Sequence, residues 1–487
     1  ALFCPLRRAG GKRILGNVSK ERKIRESVDG MKQTKKTRLF SGRDLWVLIL
    51  PLLVEQALSV MVGMADTMMV SQAGEAAVSG VSLVDMIDVV IINLFAALGT
   101  GGAVVTSQYL GARDDQDARR SADQLALLAG IAGLSVGLLV LIGAGPLLGL
   151  LYSGVEPDVM EAGLTYLRIM ACAFPFIALY NAGAAVFRSM GNSKVSMKIS
   201  LLMNLCNIVG NAICIFGFHM GVAGVALPSL FSWALAAGLI LKLAANPQNQ
   251  VPIRLAGGFR LEKRMVRRIL SIGIPSALEN CLFNLGRILL VSLIALFGTA
   301  QIAANAVANN LDNIGCIPGN AFNLAMITVV GRCVGALDFE QARYYVRRLL
   351  AADVLVSFLV CGATLLLLPW LTGLYNISQE AKRLAGILVL IHNGLAPFLW
   401  PFSFTLPNAL RAAGDARFTM FVSLGSMAGW RILFSYILGL GMGLGIVGVW
   451  IAMILDWLFR ILCFSVRYLS GGWQRRYLRQ AGERGPL

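Results

Sequence analysis

LWVLILPLLVEQALSVMVGMADTMMV, residues 45–70, is an apolar run long enough to cross a bilayer, which takes about 20 residues at 1.5 Å rise each. Within it stand two carboxylates, Glu55 and Asp66, and each costs about 2.5–3.5 kcal/mol near the membrane centre. Their separation corresponds to roughly 1100° of helix rotation, so both fall within about 20° of one face. Glu55, Ser59, Gly63 and Asp66 make a polar stripe on a cylinder of Leu, Val and Met. Such a helix turns its stripe toward protein or water and its remaining surface toward lipid. An intramembrane acid reads as an ion or substrate site first and as a helix-bridging group second.

Outward from this segment, the other apolar runs lie near 78–107, 121–151, 163–187, 197–217 and 222–245. After a basic stretch come 269–297, 300–331, 348–374, 384–410, 418–440 and 444–469. The pattern predicts an all-α integral membrane protein of twelve spans. Composition agrees: of 487 residues 57% are hydrophobic and 14% charged, with mean hydropathy +0.70. The net charge of +17 sits in the tails and alternate loops, so nucleic acid is not an expected partner. Nine scattered cysteines indicate neither a disulfide framework nor a metal site, and His219 and His392 are isolated in sequence. Residues 1–44 are a basic tail without a signal-peptide apolar core. Met31 opens MKQTKKTRLF as a candidate start, which makes residues 1–30 an upstream extension.

Alternate loops carry Arg113, Arg119 and Arg120; Arg188, Lys194 and Lys198; Arg254 to Arg268; Arg343, Arg347 and Arg348; and Arg411 with Arg417. The intervening loops are nearly free of Lys and Arg. The positive-inside rule then puts both termini and the 246–268 linker in the cytosol.

The two halves repeat. LPLLVEQAL with Pro51 and Glu55 returns as IPSALENCL with Pro275 and Glu279; Gly111, Asp114 and Arg119 return as Gly335, Asp338 and Arg343; Arg188 answers to Arg411. An even number of spans per half predicts two six-helix lobes, 45–245 and 269–470, related by an axis along the membrane normal. A 471–487 tail follows. Asp88 has its counterpart in Asp312, whereas Asp66 has Leu290, so the lobes share a frame and differ in chemistry.

Asn207 and Asn211 share a face of the fifth span, and Ser229 adds a hydroxyl from the sixth. With Asp66 they form a hard-oxygen set suited to Na⁺, or a carboxylate that binds a proton. Glu55, Asp88, Glu279, Asn284, Arg287 and Asp312 form either a buried charge network or the lining of a cavity. Arg287 is the expected partner of Glu279 or Asp312. Phe174, Phe176, Phe398, Trp400, Phe402 and Phe404, with Met61, Met64 and Met68, line that cavity or face lipid and core.

With these residues in view, the chain resembles the multidrug and toxic compound extrusion (MATE) family over residues 45–470, most clearly in LPLLVEQALSVMVGMADTMMVSQAGEAAVSG. The resemblance implies two six-helix lobes that rock between outward- and inward-open states. It also implies cation coupling at Asp66 with Asn207, Asn211 and Ser229, around a first helix that bends at Pro51. Acids that some members carry in the seventh and tenth helices are replaced here by Phe283 and Trp400.

The expected activity is antiport: export of an amphipathic, cationic small molecule against H⁺ or Na⁺, by a monomer without a cofactor, in contact with membrane lipid. The alternative is a flippase for a lipid-linked or other amphiphilic substrate, which needs several cations in its cavity. No GxxxxGK[ST] loop and no nucleophile–base pair suggests an ATP-driven pump or an enzyme.

Overall fold

The computed structural model describes residues 38–70, 74–152, 154–254, 260–375 and 377–482. Most of the basic tail, Met31, the 71–73 loop, the linker segment 255–259 and residues 483–487 lie outside the described residues. Also outside are the side chains of Met64, Ala65 and Thr67. The chain divides into a short N-terminal unit, Ala1–Ser41, and a large unit, Gly42–Leu487. Residues 38–41 form no regular element.

Among the described residues, the large unit holds twelve helices long and apolar enough to cross a membrane. The first six are Gly42–Val70, Glu75–Gly111, Asp115–Leu151, Pro157–Ser189, Ser193–Gly217 and Ala223–Ala244. The second six are Lys263–Ala295, Ile317–Gly335, Phe339–Leu366, Gln379–Ala412, Ala416–Gly441 and Gly445–Leu469. The eighth span differs from the expected single helix. Thr299–Gly315 ends at Cys316, and Ile317–Gly335 restarts with Pro318 in its first turn, where the missing N–H is not needed. The first span runs through Pro51 unbroken.

Within the lobes the helices approach through small residues. A Cβ on Gly80 would meet Gly163 N at 2.8 Å, and one on Gly137 would meet Ala171 O at 2.7 Å. Such contacts carry packing between helices in lipid, where apolar burial alone gives no drive. Large apolar side chains point away: Leu50, Met61, Leu139, Ile142, Leu366 and Leu469 are all more than half exposed.

The repeat is visible in the turns. Arg113 and Leu337 both have positive φ, 60° and 56°. Each is followed by an aspartate that caps the next helix: Asp114 accepts from Asp117 N at 3.0 Å, and Asp338 from Gln341 N at 3.1 Å. Helical turns of π type end the fifth and eleventh spans, at Ile213–Gly217 and Tyr436–Gly441.

The lobes meet along the second, seventh and eighth spans at the ends that carry the basic loops. A Cβ on Gly111 would overlap Arg332 O, and one on Gly335 would overlap Gln108 O, so both positions need glycine for backbone contact. Gln108 Nε2 donates to Ala412 O at 2.7 Å. Arg332 donates to Ser189 O through Nε at 2.9 Å and Nη2 at 2.6 Å. These two crossings exchange under the repeat, as a two-fold axis between the second and eighth spans requires.

Candidate functional site: two polar centres of opposite charge

The polar stripe of the first span faces the fifth. Asp66 Oδ1 accepts from Asn211 Nδ2 at 2.9 Å; Asn211 Nδ2 also reaches Asn207 Oδ1 at 3.3 Å, and Asn207 Nδ2 donates to Ser229 Oγ at 2.9 Å. All four residues proposed from sequence for ion coupling thus lie in one hydrogen-bonded chain across three spans. Asn211 and Asn207 are buried, Asp66 half-buried, and Asn211 Oδ1 is buried without a hydrogen-bond partner.

This donor set fits a small cation. The Asp66 carboxylate, Asn207 Oδ1 and the unsatisfied Asn211 Oδ1 are hard oxygens. The amide of Asn211 presents its N–H to Asp66, which suits the bare carboxylate. Turning that amide over would present oxygen to a Na⁺, or to a proton carried by Asp66.

Asp85 stands close enough to act electrostatically on Asp66 and on Asp88, and all three act on the buried Tyr166. Among the described residues no cation pairs with these three acids. Asp88 Oδ1 is buried without a hydrogen-bond partner. The N-lobe centre is therefore acidic. Tyr166 was not legible as part of it, because nothing in its own span marks it; Asp85 was, through its i, i+3 relation to Asp88.

Glu55 lies deeper in the stripe. Ser196 Oγ donates to it at 3.0 Å, and Arg188 supplies the opposing charge. Its repeat counterpart Glu279 has the same kinds of partner: Ser423 Oγ at 2.6 Å and Arg411 Nη2 at 2.6 Å. Arg287 is not the partner of Glu279, contrary to the sequence expectation, because Arg411 reaches back from the end of the tenth span. Nor is it the partner of Asp312, which accepts from Asn393 Nδ2 at 3.1 Å and lies 3.2 Å from His392 Nδ1. His392, isolated in sequence, is thereby part of a cross-helix pair.

A cavity of about 570 Å³, lined mainly by the C lobe and closed on one side by Asn93, Ala97 and Thr100 of the second span, runs from Thr100 and Arg411 to Ile294 and Val449. The seventh span lines it with Asn280, Asn284 and Arg287, the eighth with Asp312, the tenth with Trp400 and Phe404. Arg431 and Arg460 also reach it, converging on the buried Asp456 at 3.8 and 3.1 Å. Both guanidinium groups stack on Phe283, each at 5.3 Å, and Arg460 also lies 5.2 Å from the Phe404 ring.

The aromatic set read from sequence divides. Trp400 stacks on Phe404 at 4.7 Å in the cavity. Phe174 packs on Phe95 in the N-lobe core, and Phe398 pairs with Phe358 with more than half its surface exposed. Met61 and Met68 are largely exposed rather than cavity-lining.

The family model MatE matches residues 51–213 and again 275–437, at the spacing by which Pro51 and Pro275 repeat. The chain belongs to this family. YisQ of Bacillus subtilis, described as an uncharacterized transporter, is 30% identical over 440 residues, covering 88% of this chain and 94% of its own. A probable multidrug resistance protein NorM of Thermotoga maritima is 25% identical over 449 residues, covering 89% of this chain and 93% of its own. Among solved structures, a MOP superfamily transporter from Pyrococcus furiosus, described as having a binding pocket of reverse polarity, superposes with TM-score 0.81 at 22% identity, covering 91% of this chain and 99% of its own. The fold is that of the MATE transporters: twelve spans in a two-lobe repeat.

Proposed function

We propose that this chain is an antiporter that exports amphipathic organic compounds by alternating access, driven by H⁺ or Na⁺ bound at Asp66. The observation that carries the reading is the chain Asp66–Asn211–Asn207–Ser229, a half-buried carboxylate with no counter-cation among the described residues and an unsatisfied amide oxygen beside it. Ion binding removes the charge of Asp66 and reverses the Asn211 amide, which changes how the first span packs on the fifth. Exchange follows when ion and solute favour different states.

With the basic loops cytoplasmic, the lobes are closed on the cytoplasmic side, as an outward-facing state requires. The protein is then a multi-pass monomer of a bacterial inner membrane with both termini inside. The unpaired acids Asp66, Asp85 and Asp88 support a cationic solute against the N lobe. The cavity arginines favour a second reading, a flippase for an amphiphile with an anionic headgroup.

The test is efflux of a fluorescent organic cation from proteoliposomes, with proton and sodium gradients imposed separately, for wild type and Asp66→Asn. Efflux under one gradient, abolished by the substitution, supports the coupling assignment. Gradient-driven efflux that persists in Asp66→Asn overturns it.

A further inference from the structure

We infer that the C-lobe cavity is an anion site that takes the sulfonate, carboxylate or phosphate group of an amphipathic molecule, clamped by Arg287 and Arg431 with the apolar part against Trp400 and Phe404. The inference rests on the export reading above and names the charge class of what that cavity holds. It departs from the cationic solute expected from the sequence.

Charge balance comes first. Four guanidinium groups, of Arg287, Arg411, Arg431 and Arg460, line the cavity, against the carboxylates of Glu279, Asp312 and, behind the wall, Asp456. Glu279 is engaged by Arg411, Asp312 by His392 and Asn393, and Asp456 by Arg460, with Arg431 further off. Asp312 is the one cavity carboxylate among the described residues without an arginine partner, so four guanidinium groups face three carboxylates.

Arg287 is the second point. It lies mid-span, is exposed into the cavity, and pairs with no carboxylate among the described residues. It acts electrostatically on Arg431, so two like charges face one space. Arg431 keeps Nε buried without a hydrogen-bond partner. An intramembrane cation without a counter-charge is costly, and an anion between the two guanidinium groups relieves their repulsion. The planar fork of Arg suits carboxylate, sulfonate and phosphate alike. Asn284 and Asn280 stand one and two turns before Arg287 on the same wall. Their amides can donate to further oxygens of the headgroup. The aromatic rings supply the apolar wall that an amphiphile requires.

The test is isothermal titration calorimetry of the full chain in a neutral maltoside detergent, with no gradient, so that its outcome is separate from that of ion coupling. The probes are 2-naphthalenesulfonate and the 2-naphthyltrimethylammonium ion, which share a ring and differ in charge. Wild type is expected to bind the sulfonate at least about tenfold more tightly than the ammonium, with affinity falling as salt rises. Arg287→Gln is expected to weaken the sulfonate about tenfold or more, and Arg287→Lys to recover part of the loss. A thermal midpoint for each variant identifies any that has not folded, and Arg431→Lys then serves as the second variant.

Dioctanoyl phosphatidic acid, with dioctanoylglycerol as its uncharged control, separates the two sources of the anion. Displacement of the sulfonate by the phosphatidic acid alone points to a bilayer lipid headgroup. Persistence of the sulfonate points to a soluble organic anion. Equal binding of the two naphthyl ions, tighter binding of the ammonium, or an unchanged Arg287→Gln overturns the inference, whatever the efflux experiment gives.

Discussion

Arg332→Met removes two hydrogen bonds, 2.9 and 2.6 Å, from a guanidinium to Ser189 O across the lobe boundary. Bonds to charged groups contribute about 1.5–3 kcal/mol net, and both here share one acceptor, so the loss falls in that range rather than twice it. At about 1.4 kcal/mol per factor of ten, the equilibrium between closed and separated ends shifts by about 10- to 150-fold. If the closed form starts at about 99%, it falls to between about 91% and 40%. Gln108→Leu is the internal comparison. It removes the symmetry-related neutral bond to Ala412 O, 2.7 Å, for about 0.5–1.5 kcal/mol, and also the bond that Gln108 Oε1 accepts from Arg268 Nη2 at 2.7 Å, for about 1.5–3 kcal/mol, so its effect should be at least comparable. Spin labels at the exposed positions Arg119 and Arg347, one per lobe, report the separation in lipid nanodiscs by pulsed electron resonance. A longer-distance population should grow in both variants. Unchanged distance distributions in both would refute the view that these bonds hold the lobes together at the basic end.

Two further outcomes follow from the buried ion pairs. Arg411→Met takes from the buried Glu279 its ion-pair partner, leaving the hydrogen bond from Ser423, and should lower unfolding stability by about 3 kcal/mol, read from the thermal midpoint in detergent; the double variant with Glu279→Gln should recover much of the loss. Asp415, in the turn before the eleventh span, holds Arg467 Nε at 2.8 Å and Arg476 Nε at 3.2 Å, so Asp415→Asn should release the terminal helix Gly472–Gly482 and speed its amide exchange. Burial raises the Asp415 carboxyl above its ordinary value although both arginines pull it down, so the native pair is lost more readily on acidification than an exposed one.

The frame of this protein is legible in its sequence because a bilayer imposes length and apolarity on every span, and duplication writes the pattern twice. The stripe of Glu55, Ser59 and Asp66 located the face that packs on the fifth span. The i, i+4 spacing of Asn207 and Asn211 put both amides on Asp66's side. What the sequence could not supply was the pairing of groups far apart in it. Arg411 read as one of a row of cytoplasmic loop cations, yet its guanidinium turns back along the helix to Glu279. The acceptor of Arg332 is a backbone carbonyl, which no residue type marks. Asp456 and Arg460 carried a usable signal, an acid and a base four apart in an apolar helix, and with it the cavity would have read as more cationic. Periodicity also does not say which aromatic faces lipid: Phe398 and Phe404 share a helix, but only Phe404 lines the cavity.

Coupling is reciprocal, so the most direct measurement reverses the usual experiment. Proteoliposomes are loaded with the transported solute and diluted into solute-free medium with no ion gradient, and uptake of H⁺ or of ²²Na⁺ is followed. Ion entry should accompany solute exit in wild type and vanish in Asp66→Asn. Solute exit without ion movement in wild type, or ion uptake that survives Asp66→Asn, would contradict the assignment of coupling to Asp66.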